Sequence, residues 1–479
     1  MPFVGRKRAL AELKLLDESI GASLVVIRGR RRIGKSRLIE EYAQHKTFIK
    51  FSGLAPENQI TAKHQRENFA NQFQEQFHTY LPASDDWNHL FSALADQIKN
   101  RALVLLFDEI TWMAGDDPTF LPKLKNFWDD YAQSNPSLLF VLCSSVSSWI
   151  DENMLASKAF YGRVRGQITL EELSLFESKE LLNQLGIRCS IQETLYVLSV
   201  TGGVPWYLEL FSHQQSILEN IKRLCFQKEG ALTRECSRIF GDLFGRRETI
   251  YQHIVFALAD KKLPQKALAE KLNYSNSQRL GIYLNDLKTA GFIKKEVSWS
   301  IKSGKTSKLM QWRLSDNYLR FYLHYIFPNL NKIENNRGLA IYHSLDNFSS
   351  IMGLQFENLV LNNTSLLINA LGIHESEIVF DNAYFQKTTK ASPGCQIDYM
   401  IQTKLNTLFV FEIKFSKREI STTIIQEVRE KMRRIKKTKS FTCIPVLVHV
   451  NGITEELEDS GFFYRIINFS DFFLPIENY

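Results

Sequence analysis

The chain has 479 residues with 44% hydrophobic and 23% charged side chains, an ordinary composition for a folded protein and a length too great for one compact core. No apolar run nears the roughly 20 residues that span a bilayer, and Met1–Arg6 is not a basic region followed by an apolar stretch, so no membrane partner and a cytoplasmic location are expected. A net charge of +7 permits a nucleic-acid partner without demanding one, and 6 scattered cysteines with no Cys-x-x-Cys pair argue against a zinc knuckle or disulfide framework.

In chain order, Leu24–Gly29 is a short β-rich apolar run, followed by a glycine-bearing loop and the helical segment Ser36–Gln44. Leu103–Phe107 is a second apolar run ending in acids, and Leu138–Cys143 a third ending in Ser144-Ser145. Such strands, alternating with helix-period segments, predict a parallel sheet covered on both faces. From Leu170 to about Glu235 the pattern is helical, interrupted at Thr201–Pro205. Glu248–Leu314 reads as three short helices and a hairpin around Ser303-Gly304. After Pro328 and a polar stretch to Arg337 a last domain begins. It offers one helix near Met352–Leu371, strands at Ile397–Ile401 and Leu408–Ile413, a basic helix at Thr422–Lys437 and a strand at Ile444–Val450.

Gly29-Arg30-Arg31-Arg32-Ile33-Gly34-Lys35-Ser36 fits the pattern G-x-x-x-x-G-K-[ST] between a buried strand and a helix. Glycines at both ends allow a tight turn that aims backbone N–H groups at phosphates, and the helix start adds its positive end. Lys35 would reach the β- and γ-phosphates of a nucleoside triphosphate, and the Ser36 hydroxyl would ligate Mg²⁺. The three arginines either add charge for phosphate or face solvent or a helix. The strand end Asp108-Glu109 supplies an acid beside the metal and a second acid to polarise the attacking water.

Phe3-Val-Gly-Arg6, this loop, the Phe-Asp-Glu strand end and Tyr161-Gly-Arg163 resemble archaeal-type P-loop ATPases related to the AAA+ and signal-transducing (STAND) NTPases. Thr201-Gly-Gly-Val-Pro205 resembles the glycine-proline motif of their helical lid. The resemblance implies a γ-phosphate sensor at Ser144 or Ser145. It also implies an arginine finger at Arg163, for which a surface ion pair is the alternative, and an adenine contact near Val4-Gly5-Arg6.

Leu263–Leu272 lays Leu268 and Leu272 on one helical face, and Ser277–Ala290 does the same with Leu280, Leu284 and Leu287. Gly291–Lys295 then enters a strand, and Lys308–Leu314 returns. Helix, turn, helix and wing is a winged-helix pattern, whose second helix would offer Ser277, Gln278, Arg279 and Asn285 to DNA. A rigid spacer is the alternative. Asp316–Tyr322 resembles a recurrent linker of the same ATPases, its aromatics expected in the core.

Glu357, Asp398 and Glu412-Ile-Lys414 follow in the order of a PD-(D/E)XK nuclease, and the segment resembles the C-terminal DUF234 domain that accompanies these ATPases. Alternation puts Glu412 and Lys414 on one strand face, with Asp398 able to meet Glu412 across a hairpin. Asp398 and Glu412 would hold Mg²⁺, Lys414 would orient the nucleophile, and Glu357 would complete the metal shell. Gln396-Ile-Asp398 replaces the usual Pro-Asp opening. Positive charge over Arg429–Lys439 suits backbone phosphates, or a solvated helix face.

The reading is an α/β chain: a P-loop ATPase core at 1–168, a helical lid at 169–240, a winged helix and linker at 241–335, and a restriction-endonuclease-like domain at 345–479. ATP hydrolysis would gate DNA binding and Mg²⁺-dependent cleavage. The alternative is a regulatory or signalling ATPase whose C-terminal domain binds DNA or protein without cutting. Homo-oligomer formation is left open.

Overall fold

The computed structural model describes residues 2–55, 60–145, 147–244, 248–338, 349–388, 393–436 and 440–474. The boundary expected at 345, and Lys437 and Lys439 of the basic run, lie outside the described residues.

Five strands, β1 (Ser23–Arg28), β2 (Phe48–Ser52), β3 (Leu103–Asp108), β4 (Leu138–Ser144) and β5 (Val164–Thr169), form a wholly parallel sheet in the order β2-β3-β4-β1-β5. Successive side chains enter opposite cores, as a period of two requires. Leu24, Val26, Leu105, Phe107 and Leu142 pack in one, and Val25, Ile27, Leu106, Val141 and Cys143 in the other. Burial on both faces explains why these runs carry almost no polar residue until they end. Because β1, β4 and β3 are adjacent and parallel, the loop after β1, the acids where β3 ends and the serines where β4 ends meet at one end of the sheet.

Short helices follow from Leu175–Gln184 to Glu248–Leu258. Three of them, starting at Leu175, Ile191 and Ile217, begin with a Ser-x-x-Glu capping box that satisfies their first N–H groups. Helices Gln265–Lys271 and Ser277–Thr289 precede the hairpin β6 (Ile293–Ser300) and β7 (Lys305–Leu314). The first of these starts later than its apolar pattern suggests. Pro264 is extended, and Leu263 is exchanged into a bridge with Trp312 through two hydrogen bonds of 3.1 and 2.8 Å.

The C-terminal sheet has the order β12-β11-β10-β9-β8 over β8 (Ile378–Gln386), β9 (Cys395–Thr403), β10 (Thr407–Lys414), β11 (Thr442–His449) and β12 (Arg465–Asn468). β10, β11 and β12 run parallel, and β9 is antiparallel to both neighbours. The single helix expected near Met352–Leu371 is two, Ser349–Asn362 and Thr364–Ala370, because Asn363 leaves helical geometry at φ −126° and ψ 39°. The basic helix spans Thr423–Arg434, shorter than expected, since Ile435 turns extended. The β6–β7 hairpin docks on this sheet: Ser298 Oγ donates to Phe385 O at 2.7 Å and Trp299 Nε1 to Gln402 Oε1 at 2.6 Å. Among the described residues, no helix is long and apolar enough to cross a membrane.

Candidate nucleotide site and a second acidic cluster

The loop after β1 turns tightly because its ends are glycine. A Cβ on Gly29 would stand 2.5 Å from the carbonyl oxygen of Leu170, and Gly34, at φ +90°, starts the helix Lys35–Tyr42. Lys35 is buried, and its ammonium donates to Gly29 O at 3.1 Å, Arg30 O at 3.2 Å and Ser145 Oγ at 2.8 Å. Ser36 Oγ donates to Asp108 Oδ2 at 2.6 Å, and Lys50 Nζ, unnoticed in the sequence, lies 3.3 Å from the same oxygen. Asp108 Oδ1 is buried with no hydrogen-bond partner. An orphaned carboxylate oxygen beside a serine hydroxyl is the oxygen donor set that Mg²⁺ takes, so Ser36 and Asp108 fit that ion.

Glu109 sits in left-handed geometry at φ 53°, accepts from Ser145 N at 3.0 Å and bonds the Ser145 hydroxyl as well. Such geometry costs a non-glycine residue about 1 kcal/mol or more and concentrates at functional sites. Its Oε1 is 4.0 Å from Lys35 Nζ. Of the two serines, Ser145 joins the loop lysine to the acid, while Ser144 is buried and bonded to Thr111 Oγ1 at 2.5 Å.

Of the roles anticipated for the loop arginines, the helix-facing one describes Arg32, which meets residues of two helices. Arg30 pairs with Glu172 at 3.0 Å and with Asp316, and Arg32 pairs with Glu235 at 3.0 Å beneath the ring of Trp206, 3.7 Å from its centroid. Arg31 lies 5.9 Å from the ring centroid of Trp112. Ile33 is fully buried, and its carbonyl accepts from Arg6 Nη2 at 3.1 Å, which brings Val4-Gly5-Arg6 to the loop. Arg163 is bonded to Asp129 through two contacts of 2.6 and 2.7 Å, which hold Asp129 down at about 2. Its described contacts do not include the phosphate loop.

In the C-terminal sheet, Asp398 and Glu412 lie on the paired strands β9 and β10, and Asp398 Oδ2 accepts from Ile413 N at 3.1 Å. Burial, then Glu357 and Glu412, raise the Asp398 carboxyl well above its ordinary range. Glu357, expected to complete the metal shell, lies near enough to act on Asp398 and is itself ion-paired. Its carboxylate goes to Lys262, 2.9 Å away, and among the described residues no group of three His, Cys, Asp or Glu is placed to hold a metal. Glu412 and Lys414 both face the helix Thr423–Arg434, as alternation requires, but Lys414 meets Glu427 at 3.5 Å while Glu412 meets Lys431 at 2.5 Å. Burial pulls the Lys431 ammonium down, and Asp398 and Glu412 outweigh it, for a net rise. The sequence showed Lys431 only as one cation in a basic run; its partner could be seen only from the helix seated on β9.

A strand, a glycine-bounded loop closing on a helix start, and an acidic strand end tied to it by a buried serine define a P-loop nucleotide fold. Residues 3–211 match the model of an ATPase domain found predominantly in Archaea. An uncharacterised protein of Methanocaldococcus jannaschii is 26% identical over 339 residues, 69% of this chain and 70% of its own length. The Walker-type ATPase of Pyrococcus abyssi shares the fold at a TM-score of 0.50 and 19% identity, over 67% of this chain and 96% of that one. The ORC2 protein of Aeropyrum pernix, solved as ADPNP-ADP complexes, gives a TM-score of 0.40 at 15% identity over 71% and 96%.

Proposed function

We propose that the chain hydrolyses ATP at Gly29–Ser36, that Ser36 and Asp108 hold Mg²⁺, and that the nucleotide cycle gates DNA binding by the winged-helix module and the C-terminal domain. The observation that carries the reading is the buried Ser145 hydroxyl, bonded to both Lys35 and Glu109. It sets an ammonium for phosphate oxygens about one water from a carboxylate that can orient the attacking water. Lys35 exchanges its bonds to the Gly29 and Arg30 carbonyls for bonds to phosphate, in which donor and acceptor are both charged. Mg²⁺, when bound, neutralises charge on the transferring phosphoryl group.

DNA binding is supported by three features. Ser277, Gln278, Arg279 and Asn285 are exposed on one helix. Arg429, Arg433 and Arg434 follow on another, and that second helix lies over Asp398 and Glu412. Mg²⁺-dependent cleavage at this acid pair is the further step, with Lys431 rather than Lys414 as the ammonium that steadies the nucleophile or the developing charge. The reading without cleavage has its own support, because Glu357 and Glu412 are each engaged by a lysine.

Phosphate release with ATP and Mg²⁺, with and without duplex DNA, tests the first part. Turnover that DNA accelerates and Lys35→Ala abolishes is expected; no turnover, together with no calorimetric heat from ATP, sinks it. Circular and linear DNA incubated with Mg²⁺ and ATP then separate the two C-terminal readings. Nicking lost in Asp398→Ala and Glu412→Ala supports cleavage, and intact DNA supports a docking domain.

A further inference from the structure

Asp316 opens a linker whose aromatics are explained by packing and whose acid is not. Its side chain is 1% exposed and ion-paired with Arg30 of the phosphate loop. Arg30, equally buried, also meets Glu172 at 3.0 Å and lies 5.2 Å from the ring centroid of Phe292 and 5.9 Å from that of Tyr207. One loop side chain therefore touches the segment after β5, the lid and both ends of the β6–β7 hairpin. Desolvating such a pair costs about as much as the attraction returns, so stability alone does not account for it. What the pair supplies is position.

The backbone that carries the Arg30 guanidinium also anchors Lys35, whose ammonium donates to the carbonyls of Arg30 and Gly29. On the other side, Asp316 Oδ1 accepts from Leu319 N at 2.7 Å and caps the helix Asn317–Phe321. Asn317 accepts from Asn358 Nδ2 at 3.0 Å through its side chain and from Gln355 Nε2 at 2.9 Å through its carbonyl. Both amides belong to Ser349–Asn362, the helix that carries Glu357.

We propose that Asp316 is a positioning residue of the nucleotide site: through Arg30 it sets the phosphate loop, and through Asn317 it ties that loop to the first helix of the C-terminal domain. The proposal rests on the nucleotide reading of Gly29–Ser36. Asp316 touches no phosphate, so its loss weakens nucleotide capture and leaves the chemical step nearly intact.

In the full chain, Asp316→Asn keeps an oxygen for the Leu319 N–H and removes the charge. KM for ATP is expected to rise about tenfold with kcat within about threefold, the pattern of lost uniform binding. Adding Arg30→Gln to Asp316→Asn should raise KM by less than about twofold more, because the two side chains act as one pair. Hydrogen exchange across Ser349–Asn362 should slow when a non-hydrolysable ATP analogue and Mg²⁺ are added to the wild type, and not in Asp316→Asn. A folded Asp316→Asn protein with KM within about twofold of wild type, or effects that simply add in the double variant, overturns the proposal. If Asp316→Asn does not fold, Arg30→Lys, which keeps the charge and loses the fork that spans two acids, is read by the same KM criterion. Wild-type protein that neither turns over ATP nor binds the analogue removes the nucleotide reading itself, and the proposal with it.

Discussion

Lys431 Nζ lies 2.5 Å from Glu412 Oε2, while Lys414, two residues along the same strand as Glu412, lies 3.5 Å from Glu427 Oε2. Strand and helix thus offer one another two crossed ion pairs, and burial ranks them: Glu412 is buried, whereas Lys414 and Glu427 are both exposed. Removing one partner of a buried pair strands the other charge away from water; removing a partner of an exposed pair changes little.

The first expectation follows from that ranking and needs no assumption about activity. Lys431→Ala should lower stability by roughly 2–3 kcal/mol, because Glu412 is left buried and uncompensated. Lys414→Ala should stay within about 0.5 kcal/mol, as exposed pairs do. Denaturant unfolding of the full chain followed by circular dichroism reads both. Equal losses for the two variants would mean that Lys431 is not the ammonium Glu412 depends on.

At the nucleotide site, Glu109 and Lys35 should separate chemistry from capture. Glu109→Gln retains an oxygen for Ser145 N–H and should still bind ATP, while turnover falls about 10²-fold or more with loss of the base. Lys35→Ala should lose ATP binding itself. Isothermal calorimetry with ATP and Mg²⁺, beside a phosphate-release assay, distinguishes the two. Full activity in Glu109→Gln would move the water-activating role elsewhere.

Much of this site was legible because its parts are short and ordered in sequence. The loop spacing, the Asp108-Glu109 strand end and the Ser144-Ser145 strand end all terminate runs buried on both faces, where polar residues stand out. β2 and β5 escaped because they are edge strands: Phe-Ile-Lys-Phe-Ser and Val-Arg-Gly-Gln-Ile-Thr bury only alternate residues and leave no apolar run. The partners of Arg30 and Arg32 were out of reach for another reason. Asp316 and Glu235 arrive from distant segments, and nothing local to a buried ion pair marks where its other half will come from. Lys431 combines both problems, being one cation in a dense basic run and paired across a sheet.

Arg163 carries a prediction in pH. Hydrogen bonds from its guanidinium, then from Lys125, hold the Asp129 carboxyl at about 2, below the ordinary 3.8. A carboxyl depressed on folding contributes stability that is complete above its unfolded value and is lost as pH falls through the folded one. The stability gap between wild type and Arg163→Ala should therefore be flat from pH 7 to 5 and close between about pH 4 and 2. Thermal melts across that range test it, and a gap that widens in acid contradicts it. The same variant tests the finger assignment, since loss of an acting finger costs about 10³–10⁵ in turnover. With Arg163 engaged by Asp129, the expected change in the single chain is smaller than about threefold.

The basic helix should reveal itself through salt. Arg433 and Arg434 both contact Glu430, at 2.8 and 2.7 Å, in exposed pairs that are weak enough to exchange for phosphates. Each phosphate neutralised adds about −0.9 to the slope of log K against log salt on duplex DNA. The double variant Arg433→Ala and Arg434→Ala should therefore bind a labelled duplex with a slope shallower by about 1.8, and its affinity should fall by a similar factor on unrelated sequences. Fluorescence anisotropy between 50 and 200 mM salt, about the range in which such contacts dominate, reads the slope directly. Replacing Ser277, Gln278 or Asn285 with alanine removes no charge. Those variants should leave the slope unchanged and alter affinity only where a base or sugar contact is lost, which separates the two helices as DNA contacts. An unchanged slope in the arginine variant would return Thr423–Arg434 to the role of a solvated face covering the acid pair.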